Sequence, residues 1–94
     1  MSSNTLAVGD TDRDGLFQIT NTTWDSNGTM TVTIIETDAG IRASMPHGIE
    51  IRRMRRLARR ALAHPEITRS SRVLDEDVHE GRRRVRFLVS RHPL

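Results

Sequence analysis

The sequence contains no cysteine, lysine or tyrosine among its 94 residues. The lack of cysteine excludes disulfides, thiol catalysis, Cys-ligated zinc and iron–sulfur clusters. Three aromatic residues, Phe17, Trp24 and Phe87, are the only rings available to a core. Val, Ile, Leu and Phe make up about 23 % of the chain, just above the level of disordered proteins. We therefore expect one domain with a thin core, for which a homodimer is one expected state.

Long apolar runs are also missing. No stretch approaches the roughly 20 residues needed to span a bilayer, and the start of the chain has no signal-peptide hydrophobic region. These absences predict a cytoplasmic protein without a membrane partner.

All 15 basic residues are arginine, a bias typical of a G+C-rich genome, such as that of a phage with a G+C-rich host. With no Lys, Tyr or Cys to titrate, a net charge of only +3 gives a sequence pI near 11.2, so the pI overstates the basic character. The distribution is more informative. Residues 1–50 hold two Arg against seven acids, and residues 51–94 hold thirteen Arg against five acids.

The first half of the chain has the pattern of a β-hairpin. Residues 1–14 lack an apolar period and predict a disordered arm, followed by one domain over 15–91 and a tail over 92–94. Two β-branched runs, one from Leu16 and one over 29–36, flank the turn string 25–28. The turn residues favour a loop longer than two residues, which leaves the register open.

The second half predicts one helix between strands. A turn over 37–40 leads into a short strand over 41–45, and Pro46 then opens a helix over 47–64 with Ser44 as its cap. Residues 67–74 and 83–91 are typical of two more strands, with a turn at Glu80-Gly81. The resulting fold class is α+β, in the order βββαββ, with an antiparallel sheet covered on one face by an amphipathic helix.

The predicted helix is two-faced. Its apolar residues fall within an arc of about 140°, and six arginines occupy an arc of about 160° on the other side. Like charges spaced i,i+4 destabilise an isolated helix by about 1 kcal/mol in total. Because so few acids neutralise these arginines within the helix, an external anion is the simplest counter-ion, and phosphate suits guanidinium groups best.

Four interpretations of the Arg-rich helix remain open. The arginines could be a solvated face, could pair internally with the acids of the 75–80 segment, could bind DNA or RNA phosphates, or could bind an acidic protein. For a nucleic-acid backbone, the predicted contacts are Arg52, Arg53, Arg56, Arg59, Arg60, Arg69, Arg72, Arg84 and Arg86. A membrane surface is disfavoured, because the apolar face lacks the Trp, Phe and Leu of interfacial helices.

Other residues carry weaker signals. The four histidines have no i,i+4 pair, so we predict no metal site and no cofactor. The acids at 75–77 with His79 could be written as a Mg²⁺ site of a nuclease, but adjacent acids on a turn are usually solvated, and we expect a non-enzymatic protein. Trp24 is expected to cap the core, with an exposed protein-interface anchor as the alternative.

Overall fold

A computed structural model describes residues 6–25, 28–61 and 70–92 of the chain. Within these ranges the chain forms four strands and two helices, which confirms the α+β class. In chain order the elements are β1 (Phe17–Trp24), β2 (Thr29–Glu36), α1 (Asp38–Ala43), α2 (His47–Arg59), β3 (Ser70–His79) and β4 (Arg82–Ser90). The strands form one antiparallel sheet in the spatial order β1-β2-β4-β3.

The first hairpin forms as the sequence predicts. β1 and β2 pair antiparallel from Phe17↔Glu36 to Trp24↔Met30, with a bulge between Ile19 and Asn21. The bulge adds one residue to β1, which the alternation of side chains alone does not reveal. Gly28, the residue before β2, has φ +77°, a conformation that glycine adopts without strain.

The second hairpin is longer than predicted. Glu80 and Gly81 form its turn, as expected, and both have positive φ, so the loop joining His79 to Arg82 is a two-residue one of the type that suits hairpins. The predicted strand over 67–74 instead appears as β3, which continues through the acids at 75–77 that we had assigned to a turn. Its predicted residues 67–69 lie outside the described ranges.

A helix replaces the predicted third strand. Residues 38–43 form α1, capped by the Thr37 hydroxyl, which accepts a hydrogen bond from the Gly40 amide at 3.2 Å. Ser44 ends α1 in the left-handed conformation (φ 51°) and does not cap α2, where Pro46 occupies the N-cap position without a side-chain bond. The predicted order βββαββ is therefore ββααββ.

The core lies between α2 and one face of the sheet. The alternating residues of β1, β2 and β4 pack against the apolar arc of α2. The helix ends at Arg59, earlier than predicted, and the predicted helix residues 62–64 lie outside the described ranges. Phe17 and Phe87 are fully buried, whereas Trp24 is 55 % exposed and does not cap the core. The core residues are Phe17, Ile19, Met30, Val32, Ile34, Met54, Leu57, Ala58, Ala61, Val85, Phe87 and Val89.

Residues 6–14, expected to belong to a disordered arm, are held against the domain. The Gly9 amide donates to the Ile19 carbonyl at 2.8 Å, and the Ile19 amide donates to the Asp10 carbonyl at 2.9 Å. The Leu6 amide donates to the Arg60 carbonyl at 2.9 Å, and the Leu6 side chain packs against the core. This segment therefore covers part of the outer edge of β1 and crosses the end of α2.

Candidate functional site

The arginines of α2 form a continuous basic surface away from the sheet. We call Arg52, Arg53, Arg56, Arg59 and Arg60 the Arg face; all but Arg53 are exposed. Packing of the apolar arc against the sheet fixes their direction, because the helical period places them on the opposite side. In the described part of the chain, Arg52, Arg56 and Arg60 form no ion pair with a carboxylate.

The acids at 75–77 do not neutralise the Arg face. β3 and β4 place Asp75 opposite Arg86 and Asp77 opposite Arg84, and each aspartate accepts two or more hydrogen bonds from its arginine. Hydrogen bonding to Arg86 lowers the pKa of Asp75, and hydrogen bonding to Arg84 lowers the pKa of Asp77. The internal pairing considered for the α2 arginines thus involves β4 instead.

A second ionic cluster joins the start of α2 to the sheet. The Arg83 Nε donates to the Glu50 carboxylate at 2.7 Å, and the Arg83 amide donates to Glu36 at 2.6 Å. Glu76 accepts a hydrogen bond from Arg83 at 3.1 Å and lies 3.0 Å from His47 Nε2. Burial, together with a hydrogen bond to Glu36, raises the pKa of Glu50 to about 7. Sequence analysis missed this cluster, although Glu50 falls within the apolar arc of the helix, near one edge.

Arg53 of the Arg face pairs with a carboxylate of the segment that precedes β1. Its guanidinium lies 3.2 Å from Asp14, and both side chains are substantially exposed. Beside this pair, residues 12–14 and α2 enclose a cleft of about 260 Å³. The lining of the cleft is Asp12, Arg13, Asp14, Arg53, Arg56, Leu57 and Arg60.

A second depression lies on the other side of the Arg face. Its volume is about 340 Å³, and its described lining consists of arginines alone: Arg52, Arg55, Arg56, Arg59 and Arg60. The Arg55 Nε is buried and has no hydrogen-bond partner among the described atoms.

The remaining predicted contacts are dispersed. Arg84 and Arg86 are engaged by Asp77 and Asp75, Arg72 is exposed on β3, and Arg69 lies outside the described ranges. The predicted positive surface is therefore smaller than the sequence suggests.

Trp24 lies at the far end of the sheet, where the Arg91 guanidinium carbon is 5.8 Å from the ring centroid.

The acidic segment does not converge on a metal ion. Successive strand residues point to opposite faces, so Asp75 and Asp77 lie on one face and Glu76 on the other. Within residues 6–25, 28–61 and 70–92, no group of three or more His, Asp or Glu side chains is arranged to hold a metal.

None of the helices in the described ranges has both the length and the apolar character needed to cross a bilayer.

Comparison of the chain with models of known protein families gives no match. Comparisons with curated proteins and with solved structures also give none.

Proposed function

We propose that this protein is a small, non-enzymatic nucleic-acid-binding protein that contacts backbone phosphates through the Arg face of α2. The observation that carries the proposal is the exposure of Arg52, Arg56 and Arg60 without a carboxylate partner in the described ranges. Asp12 accepts hydrogen bonds from backbone amides, Glu50 and Glu76 are paired with Arg83, and Asp14 pairs with Arg53. Exposed guanidinium groups on one rigid helix suit the forked geometry of phosphate oxygens.

The expected binding is electrostatic and independent of sequence. Among the described residues, arginine alone lines the 340 Å³ depression, with no Asn or Gln to read base edges. Arg84, Arg86 and Arg53 are paired with aspartates, whereas Arg52, Arg56 and Arg60 have no carboxylate partner in the described ranges, so we expect about three phosphate contacts. That number predicts a slope of log affinity against log salt of about −2.7 on duplex DNA, or a roughly 40-fold loss between about 50 and 200 mM salt.

Fluorescence anisotropy of labelled duplex and single-stranded DNA and RNA at these two salt concentrations tests the proposal. Arg56 lies in the centre of the Arg face, so Arg56→Glu should abolish the binding, whereas Arg72→Glu, the same charge reversal on β3, should preserve it. A duplex and a single strand that both fail to bind at about 50 mM salt would refute the proposal.

Trp24 favours a second candidate function, a module that binds an acidic protein. An aromatic ring that is 55 % exposed and has Arg91 nearby resembles the aromatic and arginine anchors of protein interfaces. In this case Trp24→Ala should weaken capture of an acidic partner and leave any DNA affinity unchanged. Unchanged capture by the Trp24→Ala variant would exclude Trp24 as the anchor.

A further inference from the structure

The cleft between residues 12–14 and α2 has a different character from the rest of the Arg face. It is the more enclosed of the two arginine-lined depressions, because residues 12–14 form a wall along one side of the helix. The segment that precedes this wall crosses the end of α2. A hydrogen bond from the Leu6 amide to the Arg60 carbonyl, at 2.9 Å, helps to hold it there. The cleft is therefore a bounded site and not an open surface of the helix.

The formal charges in the cleft leave a positive excess. Arg13, Arg53, Arg56 and Arg60 line it together with Asp12 and Asp14, which gives a formal charge of +2. Asp12 is already engaged, because its Oδ1 accepts hydrogen bonds from the amides of Leu16 at 2.7 Å and Phe17 at 3.2 Å. Asp14 pairs with Arg53 alone at 3.2 Å and is 58 % exposed, so an incoming anion can displace it.

Size and charge together narrow the ligand class. About 260 Å³ lies below the roughly 300 Å³ at which pockets for whole small molecules begin. The charge of +2 matches a phosphate monoester, which is close to a dianion at neutral pH, better than a phosphodiester with its single charge. A monoester also presents three terminal oxygens to several guanidinium groups.

We propose that this cleft binds a terminal phosphate monoester, as found at the phosphorylated end of a nucleic-acid strand. The inference rests on the proposed function. The cleft, which Arg53, Arg56 and Arg60 of the Arg face also line, holds the end of the strand, while the Arg-face residues outside the cleft, Arg52 and Arg59, here called the outer Arg face, contact its backbone. Asp14 acts as a counter-ion that occupies Arg53 until the phosphate arrives.

The test compares one oligonucleotide with a 5′-phosphate, a 3′-phosphate or hydroxyl groups at both ends, at about 50 mM salt. We expect a phosphorylated end to bind about five- to tenfold more tightly than the hydroxyl form. Inorganic phosphate should remove this advantage by competing for the cleft. Equal affinities for all three strands would overturn the inference and leave the proposed function standing, whereas no binding of any strand would overturn both. Binding of the phosphorylated strands alone would support the cleft and contradict the backbone contacts.

Matched variants separate the cleft from the outer Arg face. Arg13→Gln, which lies in the cleft but not on α2, should remove the preference for the phosphorylated end and leave binding of the hydroxyl strand unchanged. Arg52→Gln, outside the cleft, should weaken all three strands and preserve the preference. Asp14→Asn removes a negative charge and should tighten binding of every strand, but if the cleft holds the terminal phosphate the gain should be larger for the phosphorylated strands than for the hydroxyl strand. A preference that persists in Arg13→Gln, or a gain in Asp14→Asn that is equal for all three strands, would count against the site.

Discussion

Gly40 occupies a position in α1 where a side chain cannot be accommodated. A Cβ atom added there would overlap the carbonyl oxygen of Leu16, which also accepts a hydrogen bond from the Thr37 amide at 2.9 Å. We expect Gly40→Ala to lower the free energy of unfolding by about 1–3 kcal/mol, despite the higher helix propensity of alanine. Denaturant unfolding followed by circular dichroism measures the change.

Gly48 in α2 provides the matched control for Gly40. It has no atom within 4 Å of an added Cβ, so Gly48→Ala should be neutral or stabilising by up to about 1 kcal/mol. If the two variants change stability in the same direction and by the same amount, the close contact between Gly40 and Leu16 is not the controlling factor.

Glu50 makes stability depend on pH in the neutral range. Its side chain is 5 % exposed, and burial beside Glu36 raises its pKa from an ordinary value of 4.5 to about 7. Folding therefore favours the protonated form. The stabilising contribution is complete below about pH 4.5 and is lost as pH rises from there through about 7, with a total of about 3 kcal/mol.

Chemical denaturation at several pH values between about 5 and 8 measures this loss, and Glu50→Gln, a neutral isostere, should remove most of it. Glu76→Gln is the control, because hydrogen bonding to His47 lowers the pKa of Glu76 and places its titration at more acidic pH. A Glu50→Gln variant that keeps the wild-type decline would show that another group is responsible.

At the scale of the element, repulsion between the arginines on its charged surface destabilises α2. Arg56 lies four residues from both Arg52 and Arg60, so it experiences two like-charge contacts. Arg56→Glu replaces both repulsions with attractions, and we expect the melting temperature to rise as the free energy of unfolding increases by about 1 kcal/mol. The same variant should lose its affinity for nucleic acid. A destabilised Arg56→Glu protein would contradict the repulsion argument, and Arg72→Gln, on β3, should leave the melting temperature unchanged.

The elements that sequence reasoning found are those with a clear hydrophobic period. Alternation over 29–36 and 83–91 predicted β2 and β4, and the two-faced pattern after Pro46 predicted α2. The helix α1 was missed because Thr37-Asp38 serves equally as a turn or as a helix start, and the deciding factor is the packing of Gly40 against Leu16. Such contacts join residues distant in sequence, which local patterns do not encode.

The extent of β3 could not be predicted for a related reason. Three consecutive acids have a low intrinsic preference for a β-strand. In the sheet, however, Arg84 and Arg86 lie directly opposite Asp77 and Asp75 and compensate their charge. The same pairing removes Arg84 and Arg86 from the predicted binding surface. The positions of the α2 arginines, by contrast, follow from the helical period alone.

At the scale of the whole molecule, the two edges of the sheet are protected differently. β3 carries the acids Asp75, Glu76 and Asp77 and a bulge between Val73 and Asp75, features that discourage pairing with another chain. β1 has no charged residue, and residues 9–12 cover the first part of its outer edge through hydrogen bonds to Phe17 and Ile19. This segment therefore serves the sheet as well as the cleft.

Removal of residues 1–12 tests the protective role of this segment. The truncated chain loses three backbone hydrogen bonds to β1 and the packing of Leu6, so we expect the free energy of unfolding to fall by about 2–4 kcal/mol. The uncovered edge of β1 should then pair with other copies, and multi-angle light scattering should detect a larger mass than for the full chain at the same concentration. A chain that begins at Leu6 keeps these hydrogen bonds and is the control. If the truncated chain matches this control in both stability and mass, the outer edge of β1 needs no cover, and the segment matters only through Asp14 and the cleft.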